Sequence, residues 1–301
     1  MKTQREKISA LDHAAVTLNY SRALNAYEDR RERCGFKRGA GSWFSEGNPK
    51  LEKNLLNTLG SSFLPAREAL AVGLAQGLTF SDTSPVLRHN ACARHTKECA
   101  ACCLNTAGRG AFRSIMAARL ARALLKIEEP YLAYVLDVYY LRRAVAKYGA
   151  SKIARRANVI SDYAIEDQYP AEYWAEFAGV VHYDYTKIKP RAFDSVAGGE
   201  WIAAGTGKPW PKNYSLTYSA SERDSVDSIR SMTASGVNVA VVTNQPVQSA
   251  KPAEWFGIPA INGDLSDERY LDPRGVVVLL SAKGKAKRVA PSLNGFVKPI
   301  A

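Results

Sequence analysis

The chain has 301 residues, 46% of them hydrophobic and 23% charged, with no apolar run long enough to span a bilayer and no secretory signal at its N-terminus. This composition predicts a globular cytoplasmic protein with reduced cysteines, and it excludes a membrane-spanning or disulfide-stapled secreted protein. Lysine and arginine (41) outnumber aspartate and glutamate (29) for a net charge of +12, which favours DNA or RNA as a partner over a merely basic protein without one.

The N-terminal part of the chain predicts one helix and a linker. Residues 6–34 carry apolar side chains at helical spacing and predict an amphipathic helix. Residues 35–50, GFKRGAGSWFSEGNPK, are Gly-rich and basic, which is typical of a loop. Trp43 either packs this linker onto the body, the favoured interpretation, or stacks on nucleic acid. We predict that 1–47 form a helical extension with its linker and that 48–301 form one α/β domain.

The middle of the chain predicts further helices on either side of a cysteine-rich loop. Residues 51–80 show a weak helical pattern, and GLTFSDTSPV at 77–86 predicts a short strand or loop. A long amphipathic helix is predicted after Gly110. Pro130 suits the first turn of a second helix, which we expect to end at Gly149.

From residue 153 onwards, short β-branched or aromatic runs alternate with short helical patterns. Such alternation indicates βαβ units and a mostly parallel sheet. We predict a barrel-like α/β fold related to the TIM barrel, with the barrel either complete or incomplete. The predicted strands are 157–161, 180–186, 214–219, 238–243 and 276–283.

Four of the five cysteines lie within twelve residues of one loop. Cys92, Cys99 and Cys103 follow the spacing C-x6-C-x3-C, and thiolates on a short loop are able to converge on one ion. His95 and Cys102 are the candidates for a fourth ligand. A Cys3His set suits Zn²⁺, whereas three cysteines with an open position suit a [4Fe–4S] cluster. The alternative is that these are small buried residues of a tight turn.

The segment CLNTAGRG at 103–110 resembles the core motif of the gene product 88-like proteins, a bacteriophage family. Other segments resemble this family in the same order: NPKL at 48–51, N-x2-SD-x3-E at 158–166, YDYTK at 183–187, NYSLTYSASE at 213–222, GVNVAVV at 236–242, INGDLSDERYLDP at 261–273 and LSAKGKAK at 280–287. The set is specific as a whole. One departure is Ala93, where the family usually has proline. The resemblance implies a phage protein without a settled activity.

Carboxylates follow two of the predicted strands, at the edge where barrel-like α/β folds place their chemistry. If 157–161 and 180–184 are parallel strands, Asp162 and Asp184 lie at or just past their C-terminal ends. Such groups fit nucleophilic or acid–base work at a glycosidic carbon, or binding of Mg²⁺ beside a phosphate. The structural alternatives are a helix cap, an ion pair and an Asx turn. The candidate catalytic residues are Asp162, Glu166, Asp184, Lys187, Asp264 and Asp267.

Basic residues near the motifs predict contacts with phosphates. The segment SAKGKAKR at 281–288 alternates lysine with small residues after a strand, and it is either a phosphate-tracking surface or a solvated edge. Arg109, between two glycines at a predicted helix start, is able to reach an anion placed there. The candidate nucleic-acid-binding residues are Arg109, Arg156, Lys283, Lys285 and Lys287.

Three functions follow from these features. The favoured one is a nucleic-acid-modifying enzyme similar to the tRNA-guanine transglycosylase and DpdA group, with a barrel and a Cys3His zinc site. In such an enzyme a strand-end Asp attacks the sugar C1′ and a modified purine replaces the departing base. The first alternative is an enzyme resembling the radical S-adenosylmethionine superfamily, with a [4Fe–4S] cluster on the three cysteines and S-adenosylmethionine as its small-molecule partner. The second is a zinc-stapled nucleic-acid-binding protein without turnover.

Overall fold

A computed structural model describes residues 8–39, 41–44, 55–197, 209–245 and 254–300. The helices, in chain order, are α1 (Ala10–Ala14), α2 (Val16–Arg33), α3 (Ala66–Ala75), α4 (Phe80–Arg88), α5 (Lys97–Ala101), α6 (Arg113–Glu128), α7 (Pro130–Tyr148), α8 (Ile165–Gln168), α9 (Ala171–Glu176), α10 (Lys189–Ala197) and α11 (Val226–Ala234). The strands are β1 (Asn57–Gly60), β2 (Ile153–Arg156), β3 (Val181–Thr186), β4 (Tyr214–Ser219), β5 (Val239–Thr243), β6 (Glu254–Trp255), β7 (Ile258–Asn262), β8 (Val277–Ser281) and β9 (Val297–Lys298). The α/β class is thereby confirmed.

The chain forms two compact units whose segments alternate along the sequence. Unit 1 comprises Met1–Gly47, Leu56–Ala93 and Ala111–Val181. Unit 2 comprises Asn48–Leu55, Arg94–Gly110 and His182–Ala301. The cysteine-rich loop is divided by this arrangement, because Cys92 belongs to unit 1 and its other three cysteines belong to unit 2.

Unit 1 is organised by a helical layer in which α2, α6 and α7 pack against one another. α7 begins with Pro130 in its first turn and ends before Gly149, whose φ of +83° is readily adopted only by glycine. Both predicted ends of this helix are confirmed. In the same unit, β1 and β2 pair in parallel.

A buried ion pair lies in the core of unit 1. Asp137 accepts hydrogen bonds from Nη2 of Arg155 at 3.1 Å, from Nε1 of Trp43 at 2.5 Å and from the hydroxyl of Tyr169. Arg155 also donates to the hydroxyl of Ser61 at 2.9 Å. Because both charges are buried, each depends on the other and on these neutral partners. Trp43 is fully buried, which confirms that it packs onto the body.

Unit 2 contains a mostly parallel sheet in the order β3-β4-β5-β8-β7, with β6 antiparallel to β7 and β9 parallel to β5. The central strands β5 and β8 are runs rich in valine and leucine that are largely buried, as expected for parallel strands covered on both faces. Among the described residues the order ends at β6, whose one strand partner there is β7, so the sheet is open at this end. The predicted parallel sheet is confirmed, and closure into a barrel is not.

The predicted strands differ from the observed ones mainly at one place. Residues 157–161 form no strand, because β2 already ends at Arg156. The Asn158 amide oxygen accepts hydrogen bonds from the Ser161 hydroxyl at 2.7 Å and from the Tyr163 amide at 2.8 Å, so this side chain organises a turn. The other four predicted strands correspond to β3, β4, β5 and β8 within two residues at each end.

Two predictions of secondary structure before residue 90 were also wrong. The segment predicted as a strand or loop at 77–86 is largely α4, which begins with a capping box between Thr79 and Asp82. The predicted N-terminal helix is divided into α1 and α2 at Ala15. The NPKL segment at 48–51 and part of the predicted linker lie outside the described residues. Within the described ranges, no helix is both long and apolar enough to cross a bilayer.

Candidate functional site

A pocket of about 350 Å³ lies at the carboxyl ends of β3 and β4 in unit 2. These strands pair in parallel with Thr186 opposite Tyr218, so the loops that follow them leave from the same edge of the sheet. In open α/β sheets this edge is the usual place for a ligand. The charged residues that line the pocket are Arg94, Lys187, Lys189, Arg223 and Asp224.

Lys187, a predicted catalytic residue, is held at this edge as a fixed cation. Its ammonium group donates to the Ser219 carbonyl at 3.0 Å, the Ser219 hydroxyl at 3.1 Å and the Ala220 carbonyl at 3.2 Å. It also lies 5.3 Å from the ring centroid of Phe296. Since an ammonium has three donors, these contacts satisfy them and fix the position of the group.

Asp224 is the carboxylate that organises the loop after β4. It is buried and accepts hydrogen bonds from the Tyr218 hydroxyl at 3.0 Å and from the Ser221 amide and hydroxyl at 2.9 Å. It also forms an ion pair with Lys189 at 2.8 Å. Burial by itself favours the neutral acid, but the bonds from Lys189 and Ser221 outweigh it and lower the pKa of Asp224. The loop is therefore fixed around an ionised carboxylate.

A buried lysine supports the same loop from behind. Lys298, in β9, donates to the carbonyl oxygens of Asp224 at 3.0 Å, Leu293 at 2.7 Å and Gly295 at 3.1 Å. Burial lowers the pKa of this ammonium group. Three carbonyl acceptors compensate for its removal from water, so the lysine links the C-terminal segment to the pocket loop.

Two glutamates fix the cysteine-bearing helix α5 within unit 2. Glu222 accepts hydrogen bonds from the Thr96 hydroxyl at 2.5 Å and the Glu98 amide at 3.1 Å, at the N-terminus of α5. Burial opposes ionisation of Glu222, but its hydrogen bonds with Thr96 and with backbone amides lower its pKa. Glu98 in turn accepts from the Phe296 amide at 2.7 Å. The residues around Cys99 are thus attached to the loop that forms the pocket.

The cysteines of unit 2 occupy unlike environments. Cys99 and Cys103 are partly exposed, as is His95. Cys102 is buried against Ala282 and Ala286, and burial, followed by the neighbouring Cys99, raises the pKa of its thiol. Among the residues that the structure describes, no three His, Cys, Asp or Glu side chains are grouped so as to hold a metal ion. The cysteine-bound metal centre with Cys92 stays a prediction.

The predicted catalytic carboxylates are distributed over both units. Asp162 and Glu166 are buried in unit 1. Asp184 is 1% exposed and lies inside β3, two residues before its end, where the Tyr214 hydroxyl donates to it at 3.1 Å. Its predicted position at or just past the strand end is therefore corrected. Asp267 is buried in unit 2.

Asp264, by contrast, is partly exposed and has a clear structural role. Its carboxylate accepts a hydrogen bond from the Ser281 amide at 2.8 Å and pairs with Lys283 at 3.2 Å. Burial opposes ionisation of Asp264, but the bonds from Ser281 and Lys283 lower its pKa. This contact connects the loop after β7 to the end of β8, and it joins a predicted catalytic residue to a predicted nucleic-acid-binding one.

The predicted basic segment forms an exposed surface together with the Gly-Arg-Gly turn. Lysines 283, 285 and 287 and Arg288 are exposed after β8, whereas Ala286 is buried between them. Gly284 lies against Ala107: a Cβ on this glycine would be 3.0 Å from the Ala107 Cβ. Arg109, two residues further on, is exposed. We call Arg109, Lys283, Lys285, Lys287 and Arg288 the basic face. Arg156 is partly exposed in unit 1.

Sequence reasoning missed Asp224, Glu222 and Lys298, which hold the pocket together. Part of the signal was present, because Ser221 and Asp224 have the spacing of a side-chain-to-backbone turn and Ser225, the N-cap of α11, is an ordinary capping residue. Lys298 gave no such signal, since its acceptors are backbone carbonyls that only the folded chain brings together.

A family model described as "Gene product 88" matches residues 42–292, well over half of the chain. The matched range includes the pocket, the cysteine-rich loop and the basic face. No curated protein and no solved structure matches the chain significantly.

Proposed function

The chain belongs to the gene product 88 family, and we propose that it binds nucleic acid through the basic face of unit 2. The observation that carries this proposal is that five cations stand exposed on two segments that pack together at Gly284 and Ala107. Lysine and arginine side chains arranged in this way neutralise backbone phosphates and release counterions. The net charge of +12 supports the same partner.

Replacing Lys285 and Lys287 with glutamine is expected to weaken binding to duplex DNA and to flatten its salt dependence. Each phosphate contact contributes about 0.9 to the slope of log K against log salt, so the double variant should lose roughly 1.8. Fluorescence anisotropy with a labelled duplex between 50 and 300 mM salt, on the order of the range where such effects are large, measures both quantities.

The matched control for this experiment is Lys212→Gln, which removes an exposed charge before β4, at the opposite edge of the sheet. Its slope should equal that of the unchanged protein. A double variant whose affinity and slope both stay at the wild-type values would remove the basic face from the interface.

We also propose a catalytic step on the bound nucleic acid, as base exchange through an Asp nucleophile. Lys187 supports it, because this cation lines the pocket at the carboxyl end of β3, the strand that carries Asp184. Attack by the carboxylate on C1′ would form a glycosyl ester and release the old base, and an incoming purine would then displace the carboxylate. Cluster-dependent chemistry and binding without turnover are the competing proposals.

Asp184→Asn is expected to abolish incorporation of labelled guanine into DNA or RNA while leaving the fold intact, because the amide is nearly isosteric but a poor nucleophile. The assay should accompany iron and zinc determination on anaerobically prepared protein. One zinc per chain would support base exchange, whereas iron with absorbance near 400 nm, roughly where thiolate-bound clusters absorb, would support the cluster. No incorporation by the unchanged protein would leave binding without turnover, whereas unchanged incorporation in both Asp162→Asn and Asp184→Asn would exclude these two carboxylates as the nucleophile.

A further inference from the structure

The pocket at the carboxyl ends of β3 and β4 is strongly positive. Four cations and one carboxylate line it, which gives a formal excess of three positive charges. Two of the cations are already committed, since Lys187 donates to the loop after β4 and Lys189 pairs with Asp224. These two provide a fixed field and are not free to follow a ligand.

The other two cations are available for direct contact. Arg94 and Arg223 are exposed, and within the described ranges neither guanidinium makes a hydrogen bond or an ion pair. Arg223 follows Glu222 and precedes Asp224, so its backbone is held by the network that fixes those two carboxylates. Arg94 is two residues before Thr96, which is bound by Glu222. Two guanidinium groups therefore line one pocket, each on a backbone segment that hydrogen bonds hold in place.

The chemistry of these groups selects a phosphate. A guanidinium presents paired N–H donors that match two oxygens of a phosphate, and a phosphomonoester carries up to two negative charges near neutral pH. A diester linkage carries only one. The excess of three charges therefore fits the monoester better, since a single negative charge would leave most of the field uncompensated.

The volume of the pocket and its apolar lining indicate a ligand larger than a free phosphate ion. A volume of about 350 Å³ is within the range of small-molecule sites, on the order of 300–1,000 Å³, and exceeds what phosphate alone would fill. Ile188 and Pro190 add apolar surface to the lining. Such a wall is suited to the sugar or base that carries the phosphate.

We propose that this pocket binds the terminal phosphate of a nucleotide, with Arg94 and Arg223 on its oxygens. The proposal rests on the proposed function for the identity of the nucleotide, which is either free or the 5′ end of a strand. It adds to the basic face a second anion site that distinguishes a phosphate end from a chain interior.

Isothermal titration calorimetry with adenosine 5′-monophosphate and adenosine tests the pocket without any nucleic acid. The monophosphate should bind about a hundredfold more tightly than adenosine, since the charge-assisted hydrogen bond from each of the two arginines is worth about tenfold. Arg94→Gln and Arg223→Gln should each remove about tenfold of that difference and leave adenosine binding unchanged. Both arginines are exposed, so the variants should fold normally, and Lys212→Gln is the control for the loss of one charge.

The proposed phosphate site would be contradicted by any of three results: equal binding of the two ligands, no binding of either, or wild-type affinity in both arginine variants. Competition then identifies the source of the phosphate. Displacement of the monophosphate by a 5′-phosphorylated oligonucleotide, but not by its 5′-hydroxyl counterpart, would indicate strand ends, and displacement by neither would indicate a free nucleotide. Failure of the basic face has a separate signature: the monophosphate would still bind, while the Lys285→Gln, Lys287→Gln double variant would bind duplex DNA with wild-type affinity and salt dependence.

Discussion

Asp137→Ala is expected to lower the free energy of unfolding by about 3–5 kcal/mol, the largest effect of any single substitution proposed for this chain. The cause is the uncompensated charge that remains, because Arg155 is 1% exposed and has no route to water once its carboxylate partner is gone. The indole of Trp43 and the hydroxyl of Tyr169 would lose their acceptor at the same time. Urea denaturation followed by far-UV circular dichroism measures the loss.

Asp227→Ala provides the matched control for that measurement. Asp227 also pairs with an arginine, at 2.8 Å from Arg230, but its side chain is 92% exposed and water replaces the lost contact. We expect a change within about 0.5 kcal/mol, as is usual for a surface ion pair. If Asp137→Ala behaved like this control, the buried pair would not be holding unit 1 together.

Lys298→Met is expected to cost about 2–4 kcal/mol in unit 2. Methionine has a similar length and fills the same volume, so the loss measures the three hydrogen bonds rather than a cavity. It leaves the carbonyl oxygens of Asp224, Leu293 and Gly295 buried or partly buried without their donor. Because Asp224 organises the pocket loop, we also expect that loop to exchange its amide hydrogens faster.

Lys212→Met is the comparison for this substitution, since it makes the same chemical change at an exposed position. Its unfolding free energy should stay within about 0.5 kcal/mol of the unchanged protein. Hydrogen exchange followed by mass spectrometry should show faster exchange at 221–225 for Lys298→Met only. Equal protection of that loop in both variants would contradict the role given to Lys298.

How much the sequence predicts depends on whether a signal is local. Capping residues and periodic apolar positions are local, so α7 and the strands β3, β4, β5 and β8 were predicted nearly to their ends. The turn at Asn158 was mistaken for a strand because its β-branched neighbours match a strand pattern, whereas the hydrogen bonds of the Asn158 side chain decide the structure.

Single residues of the candidate site could be predicted from the sequence, but the way in which distant segments come together to form the pocket could not. Four of the five residues of the basic face were among the predicted candidates, since exposed cations in a polar segment are a local signal, whereas Arg288 was not named and the candidate Arg156 lies in unit 1. The pocket was not predicted, because Arg94 and Arg223 are 129 positions apart in the sequence, as their numbers show, and only the sheet and Glu222 bring their segments to one edge. Asp184 was placed too near its strand end, because β3 continues through Thr186.

The alternation of the two units along the chain limits how this protein can have been put together in evolution. A recombination event that transferred only 182–301 to another gene would leave behind Thr96 and Glu98, and with them the partners of Glu222 and of the Phe296 amide. Unit 2 would arrive without one wall of its pocket. Descent should therefore keep both units in a single reading frame, and shuffling of unit 2 as an independent module is disfavoured.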